Sequence, residues 1–476
     1  MELLKIYKAH LPACIIILAS LALCLSALSV GADPAAIIPI PSDTSLQAAS
    51  ISVDWSKRVS TLTPMLFGTN DSKMEDPTIT AQDPVVAKTL DELGIRIIRI
   101  HAGGLANTWS VQSTHGWNTA RISAAYAAPY LKGRTVIQNI PHWPGWMKTD
   151  PNGTLDPSDI DNYAAFCAGL VKIVNVDLKM HVRYWEPQNE WDGTYSQAGK
   201  ISQIWPIYNA CAVAMKKVDP SVKVGGIAMS WDDPAKIREF VRNCGPNIDF
   251  ISFHRYGSGN ATDSTDQIMT SAMKFGSDMK AYPGLVKQVS GGRSIPLILD
   301  EFSVDYSWDS GETRQFTNVG AVWYASVLRN IAYAGMKYAL NWSFKEGPYG
   351  LIDMDDHQRP VAQLYKWGTH YLIGDLVSAD STNSRVEAMA ILGATNEYSL
   401  LLINTASGPA TVQLDAGRMS SNVNIIHIER LNHTGRTSTD SDISLLNRPI
   451  TMPPCSLMLI AGTDHFSGKL AATIDP

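Results

Sequence analysis

Eight short runs of aliphatic and β-branched residues, each followed by a stretch with helical apolar spacing, occupy the chain between residues 65 and 344. The runs are 65–70 (MLFGTN), 95–101 (IRIIRIH), 134–140 (RTVIQNI), 180–186 (MHVRYWE), 222–228 (VKVGGIA), 248–254 (IDFISFH), 295–301 (IPLILDE) and 337–344 (KYALNWSF). Strand alternating with helix is the rhythm of a parallel α/β fold, and eight repeats predict a (β/α)8 TIM barrel over residues 64–375. No GxGxxG turn follows the first run, so a dinucleotide site is not expected. The clearest helix has Asp156 as N-cap and Pro157 at its first position. It spaces Ile160, Tyr163, Cys167, Leu170, Val171 and Val174 along one face, which is predicted to lie on the barrel wall.

From about Leu376 the text shifts to short strands separated by turn residues, among them EAMAIL, YSLLLIN, ATVQL, NIIHIE and SLMLIA. These predict an accessory β-sandwich over 376–476, and the strand-like segment 51–63 is expected to join it from the N-terminal side. Residues 33–50 read as a Pro/Ala/Ser linker. Before them, Lys5 and Lys8 precede an uncharged run from Leu11 to Ala32 that ends in Val-Gly-Ala, the pattern of a signal segment over 1–32. Export to a periplasmic or extracellular location follows, with no stable membrane insertion once the segment is cleaved. An uncleaved segment of this length would instead anchor the chain.

With 39 Lys+Arg against 45 Asp+Glu and no basic block, nothing here neutralises a phosphate backbone, and nucleic acid is not an expected partner. Beyond the signal segment, Cys167, Cys211, Cys244 and Cys455 are too widely spaced for a zinc pattern and are expected to be buried free thiols.

In a barrel of this kind the working groups sit where strands end at the C-terminal face. Two glutamates meet that condition: Glu190 after the fourth run (VRYWEPQNE) and Glu301 at the seventh (IPLILDE). Strands four and seven lie across the mouth from each other, so both carboxyls face one cleft. Hydrolysis of a glycosidic bond needs such a pair, one carboxyl giving a proton to the leaving oxygen while an ionised one attacks or shields the sugar carbon. His254 and Tyr256, two apart on a strand, share the inward face. Tyr256 is expected to hold the Glu301 carboxylate, and cationic Arg99 to lower its pKa. Glu186 is a rival acid four residues before Glu190, read as a buried structural carboxylate. Asp300 is expected to point away from Glu301 by period-two alternation.

These residues resemble the clan A glycoside hydrolases, and the secreted chain is most similar to family 39, which holds β-xylosidases, α-L-iduronidases and exopolysaccharide hydrolases. The resemblance implies that Asn189-Glu190 carries the acid/base and that Glu301 is the nucleophile of a retaining mechanism. It further implies that Arg99, His254 and Tyr256 line the site and that Trp342 lies under the sugar. Family members often read Trp-Asn-Glu-Pro at the acid/base, whereas Gln188 precedes Asn189-Glu190 here and Trp191 follows.

Asn189 is expected to donate to the sugar 2-hydroxyl. Of the 13 Trp, residues 109, 117, 143, 146, 191, 231 and 308 fall in mouth loops, and Trp143 is counted with the substrate-binding residues. Arg255 and Lys345 are the cations available to a uronate carboxylate. The cluster Asp353, Asp355, Asp356 lacks the EF-hand pattern and reads as a solvated turn, so neither a metal nor a cofactor is expected. The leading expectation is a secreted retaining hydrolase of β-linked sugars, xylosides first, whose partner is an oligo- or polysaccharide. An endo-acting exopolysaccharide hydrolase, a uronic-acid glycosidase and a non-catalytic carbohydrate-binding barrel are the alternatives.

Overall fold

The computed structural model describes residues 47–71, 83–101, 108–308, 311–417, 419 and 423–463. The signal segment and residues 33–46 of the linker lie outside the described residues. The eight runs form parallel barrel strands: Gly68–Asp71, Ile97–Ile100, Thr135–Asn139, Tyr184–Glu186, a fifth strand in two pieces, Ile251–Ser258, Leu297–Asp305 and Ala339–Asn341. Each pairs with the next, and strand eight returns to strand one through Leu340 opposite Gly68.

The fifth strand explains how the ring closes. Its first piece, Lys223–Val224, pairs with strand four, and its second, Gly226–Met229, pairs with strand six. Between them Gly225 donates its N–H to Trp185 O at 3.0 Å, while Gly226 donates to Phe250 O at 3.3 Å. A Cβ on Gly225 would lie 2.4 Å from the Phe250 ring, so only glycine lets the strand change partners there.

Outside the strands, Asp156 caps a 3-10 turn at Ser158 N, which runs on into the α-helix Ile160–Val171. Its buried residues include Tyr163, Cys167, Leu170 and Val171, the face the spacing predicted. All four described cysteines are buried free thiols. Among the described residues no helix is long and apolar enough to cross a membrane.

The accessory domain is one nine-stranded sheet curled over its own core in the manner of a sandwich. Gln47–Leu62 pairs antiparallel with Gly374–Ser381 and parallel with Ala410–Asp415, so this strand starts inside the stretch read as linker. Alternation drives the pairing: Ala49, Ile51, Val53 and Trp55 face the core, while the residues between them are exposed. The sheet's other face carries Met389, Ile391, Leu401, Ile403, Leu457 and Leu459 into the barrel's own core. Helix Asn318–Tyr333 meets that face, where Arg329 Nε donates to Ala388 O at 3.1 Å and Tyr333 OH to Val377 O at 2.8 Å.

Trp55 is the anchor of the N-terminal strand, 3% exposed, edge-on to Tyr398 at 4.9 Å and donating Nε1–H to Ala416 O at 2.8 Å. Trp55→Ala is expected to destabilise the sheet domain by about 3–5 kcal/mol. A denaturant titration followed by circular dichroism checks it.

Candidate active site

Polar residues lie at or just past the same end of every barrel strand, and one cation gathers several of them. Arg99, at the penultimate position of strand two, is fully buried. Its Nε donates to Glu186 Oε2 at 2.7 Å, with Asp300 Oδ2 at 3.2 Å. Nη1 donates to Glu301 Oε1 at 2.8 Å and to Asn70 Oδ1 at 3.1 Å, and Nη2 to Asn189 Oδ1 at 2.6 Å. Burial opposes its charge, but Glu186, Asp300 and Glu301 together hold it protonated.

Strand four ends at Glu186, and Glu190 lies in the loop beyond it, with φ 58°. The loop is tied down along its length. Tyr163 OH donates to Pro187 O, Asn139 Nδ2 to Gln188 O at 2.9 Å, and Glu190 N to Ala228 O at 2.8 Å. The Arg99 contact fixes the Asn189 amide with its oxygen inward, which leaves the NH2 edge as the donor for a ligand. The Glu190 side chain is 44% exposed, whereas that of Glu186 is fully enclosed. Burial pushes the Glu186 carboxyl up to about 7 against the pull of Arg99, and no substrate oxygen can reach it.

Across the mouth, Glu301 accepts from Tyr256 OH at Oε2, 2.9 Å away. His254 lies between the two glutamates: its Nδ1 donates to Glu190 Oε1 at 2.7 Å and is 3.4 Å from Glu301 Oε2. One oxygen of each glutamate and this nitrogen all lie within 4.8 Å of one another. Burial works against a charge on His254, yet Glu301 and Asp300 raise its pKa well above the ordinary value. The histidine thus bridges the two glutamates through hydrogen bonds.

Four expectations need correction. Asp300 does not point away from Glu301: it is fully buried beside Arg99, with Oδ1 3.6 Å from His254 Nε2. The cause is a β-bulge. Leu299 pairs with Phe253 and Glu301 with His254, so Asp300 is the extra residue, and the alternation slips by one. Glu301 is not lowered in pKa overall, because its burial outweighs the opposing pull of His254 and Arg99. Arg255 faces outward, paired with Asp232 and Asp278 at 2.7 Å each, and Lys345 is held by Asp83 at 2.8 Å and Asp356 at 2.7 Å. Trp143 is 5% exposed and stacks on Trp191 at 4.0 Å, so it packs against the segment that follows Glu190.

Trp342 is 8% exposed and meets the His101 ring edge-on at 5.2 Å. His101 donates Nδ1–H to Asn139 Oδ1 at 2.8 Å, and burial together with Arg99 holds its pKa well below the ordinary value. Asn70, His101 and Asn139 were not singled out from the sequence, although each is a polar residue at or just past a strand end. A search restricted to carboxylates passes over them. Asp353 spends Oδ1 on the N–H groups of Asp355 and His357, both at 2.9 Å, within an exposed turn.

Residues 178–346, which carry both glutamates, match the family described as Glycosyl hydrolases family 39. A search of curated proteins finds no match. Among solved structures, a monomeric β-xylosidase from Caulobacter crescentus CB15 has 17% identity and a TM-score of 0.60, covering 87% of this chain and 99% of that one. A family 51 α-L-arabinofuranosidase from Bifidobacterium longum has 15% identity and a TM-score of 0.63, covering 88% and 100%. A bifunctional glucanase-xylanase from a metagenome library has 14% identity and a TM-score of 0.62, covering 88% and 100%. At these identities the structural likeness is one of fold.

Since Asp300 contributes to the charged state of His254, Asp300→Asn should move the His254 titration to lower pH. Histidine-resolved NMR across a pH series reads that shift directly. An unmoved titration would remove Asp300 from the account. The barrel fold and the paired glutamates agree with the match of residues 178–346 to glycosyl hydrolases family 39, which makes the chain similar to glycoside hydrolases of that family.

Proposed function

We propose that the protein is an exported, retaining glycoside hydrolase of β-linked sugars, with β-xylosides as the leading substrate, Glu301 as nucleophile and Glu190 as acid/base. The observation that carries the reading is the carboxylate pair itself, whose nearest oxygens lie within 4.8 Å. Retaining enzymes hold their carboxyls about 5–5.5 Å apart, and inverting enzymes leave roughly 6.5–9.5 Å for a water.

In the first step Glu301 attacks the anomeric carbon as Glu190 passes its proton to the departing oxygen. Arg99 and Tyr256 each hold one oxygen of Glu301, which aims the carboxylate and limits its rotation. In the second step Glu190, now ionised, takes a proton from water as that water releases the sugar from Glu301. The exposed side of Glu190 suits it to meet both the leaving group and the water. Asn189 offers its NH2 edge to the sugar 2-hydroxyl.

The xyloside assignment is supported by the family match and by the likeness to the Caulobacter β-xylosidases. A uronate substrate is disfavoured because Arg255 and Lys345 are each committed to two carboxylates. Export rests on the basic start and uncharged run of residues 1–32.

With aryl β-xylosides as probes, Glu301→Gln is expected to lose turnover. Glu190→Ala should retain more activity on the best leaving groups, and added azide should restore turnover with a β-xylosyl azide as product. An α-configured azide, or full activity in either variant, would contradict the assigned roles.

The pH profile follows from Glu301. Its carboxyl lies above the ordinary glutamate value, so the acid limb of kcat/KM should fall at higher pH than an unperturbed glutamate would give. The Tyr256 hydroxyl donates to the ionised form and therefore holds that limb down. Tyr256→Phe should shift it upward by roughly one pH unit. A downward shift would show that Tyr256 does not stabilise the carboxylate.

A further inference from the structure

Strand seven does not end at the nucleophile. It runs on to Asp305 and delivers Tyr306 and Trp308 to the mouth, 47% and 54% exposed. Single exposed aromatics are ordinary, but these two are held in place by the surrounding backbone. Tyr306 N–H donates to Ser258 O at 3.1 Å, and Ser307 N–H to Asp305 Oδ1 at 2.6 Å. Trp308 N–H donates to Tyr349 OH at 2.8 Å, and the two rings meet edge-on at 4.7 Å. The Tyr306 ring covers Gly259 so closely that a Cβ there would lie 2.1 Å from it.

Trp308 also has φ 58°, a conformation that bulky residues rarely adopt and that costs on the order of 1 kcal/mol or more. Strain of this kind combined with a large apolar ring turned to water is unfavourable for folding on both counts. A ligand that covers the rings offsets it. Tyr306 connects this segment to the reacting centre: it lies edge-on to Tyr256 at 6.0 Å, and Tyr256 OH is the donor to Glu301.

We infer that Tyr306 and Trp308 form a stacking platform for a sugar residue beyond the one at the reacting carbon, so that the protein takes oligosaccharides or chain ends in preference to monoglycosides. The platform rests on the glycosidase reading for the identity of its occupant. Aromatic faces pack on the C–H faces of pyranose rings, and Tyr306 and Trp308 directly follow the strand that carries Glu301.

The test uses the full-length Glu301→Gln protein, which binds substrate without consuming it, and isothermal titration with β-1,4-linked xylo-, gluco- and manno-tetraoses beside their methyl monoglycosides. At least one tetraose is expected to bind more tightly than its monoglycoside. Trp308→Ala should cut that preference roughly tenfold, and Trp308→Phe should restore most of it. Thermal melts monitor folding, and Tyr306→Ala serves as the second variant if Trp308→Ala melts early. A tetraose preference untouched by both variants, or no preference for any tetraose, overturns the platform. Failure of the glycosidase reading looks different: the unmodified protein would then release no sugar from any aryl glycoside or tetraose, while the Trp308 effect on binding persisted.

Discussion

The site is organised around one guanidinium that never meets water. Taking Arg99 out of solvent costs several kcal/mol, and the cost is offset only because every side of the fork has a partner. Those partners come from strands one, four and seven and from the loop before Glu190: Asn70, Glu186, Glu301 and Asn189. A fork of fixed geometry therefore sets the spacing between Glu301 and the loop that carries Glu190. Lysine, a point charge on a flexible stem, could not specify the same four directions.

Around this cation four acids are sorted by their surroundings into different tasks. Glu186 is enclosed and holds its proton to about 7. Asp300 is equally enclosed, but Arg99 and His254 overcome its burial and lower its pKa. Glu301 sits at the floor of the cleft with both oxygens engaged, and Glu190 reaches toward solvent. The charges around the glutamate pair thus include two further carboxylates that are fully buried.

Much of this was legible from periodicity and position. The eight strands, the two glutamates and the inward pair His254 and Tyr256 all follow from alternation and from the rule that barrel sites lie at strand ends. Asp300 was not legible, because a bulge is one inserted residue and alternation carries no sign of it. The partners of Arg255 and Lys345 were also hidden. Asp83 lies 262 positions from Lys345, and only the folded chain brings them together. The net shift on Glu301 escaped for a related reason: a nearby cation can be guessed from sequence, whereas the depth of burial opposing it cannot.

The strand Gln47–Leu62 completes a sheet whose other members are all made at the far end of the chain. Ser50 N–H donates to Thr382 Oγ1 across 332 positions. At synthesis rates of ~5–20 residues per second, the strand waits roughly 15–70 s for its first neighbour. Throughout that interval Ile51, Val53 and Trp55 present an apolar face with unpaired backbone on both edges, the condition in which nascent chains aggregate. Asp54, Lys57 and Arg58 stand exposed along the same segment, and their charges oppose pairing with the wrong chain until the right strands arrive.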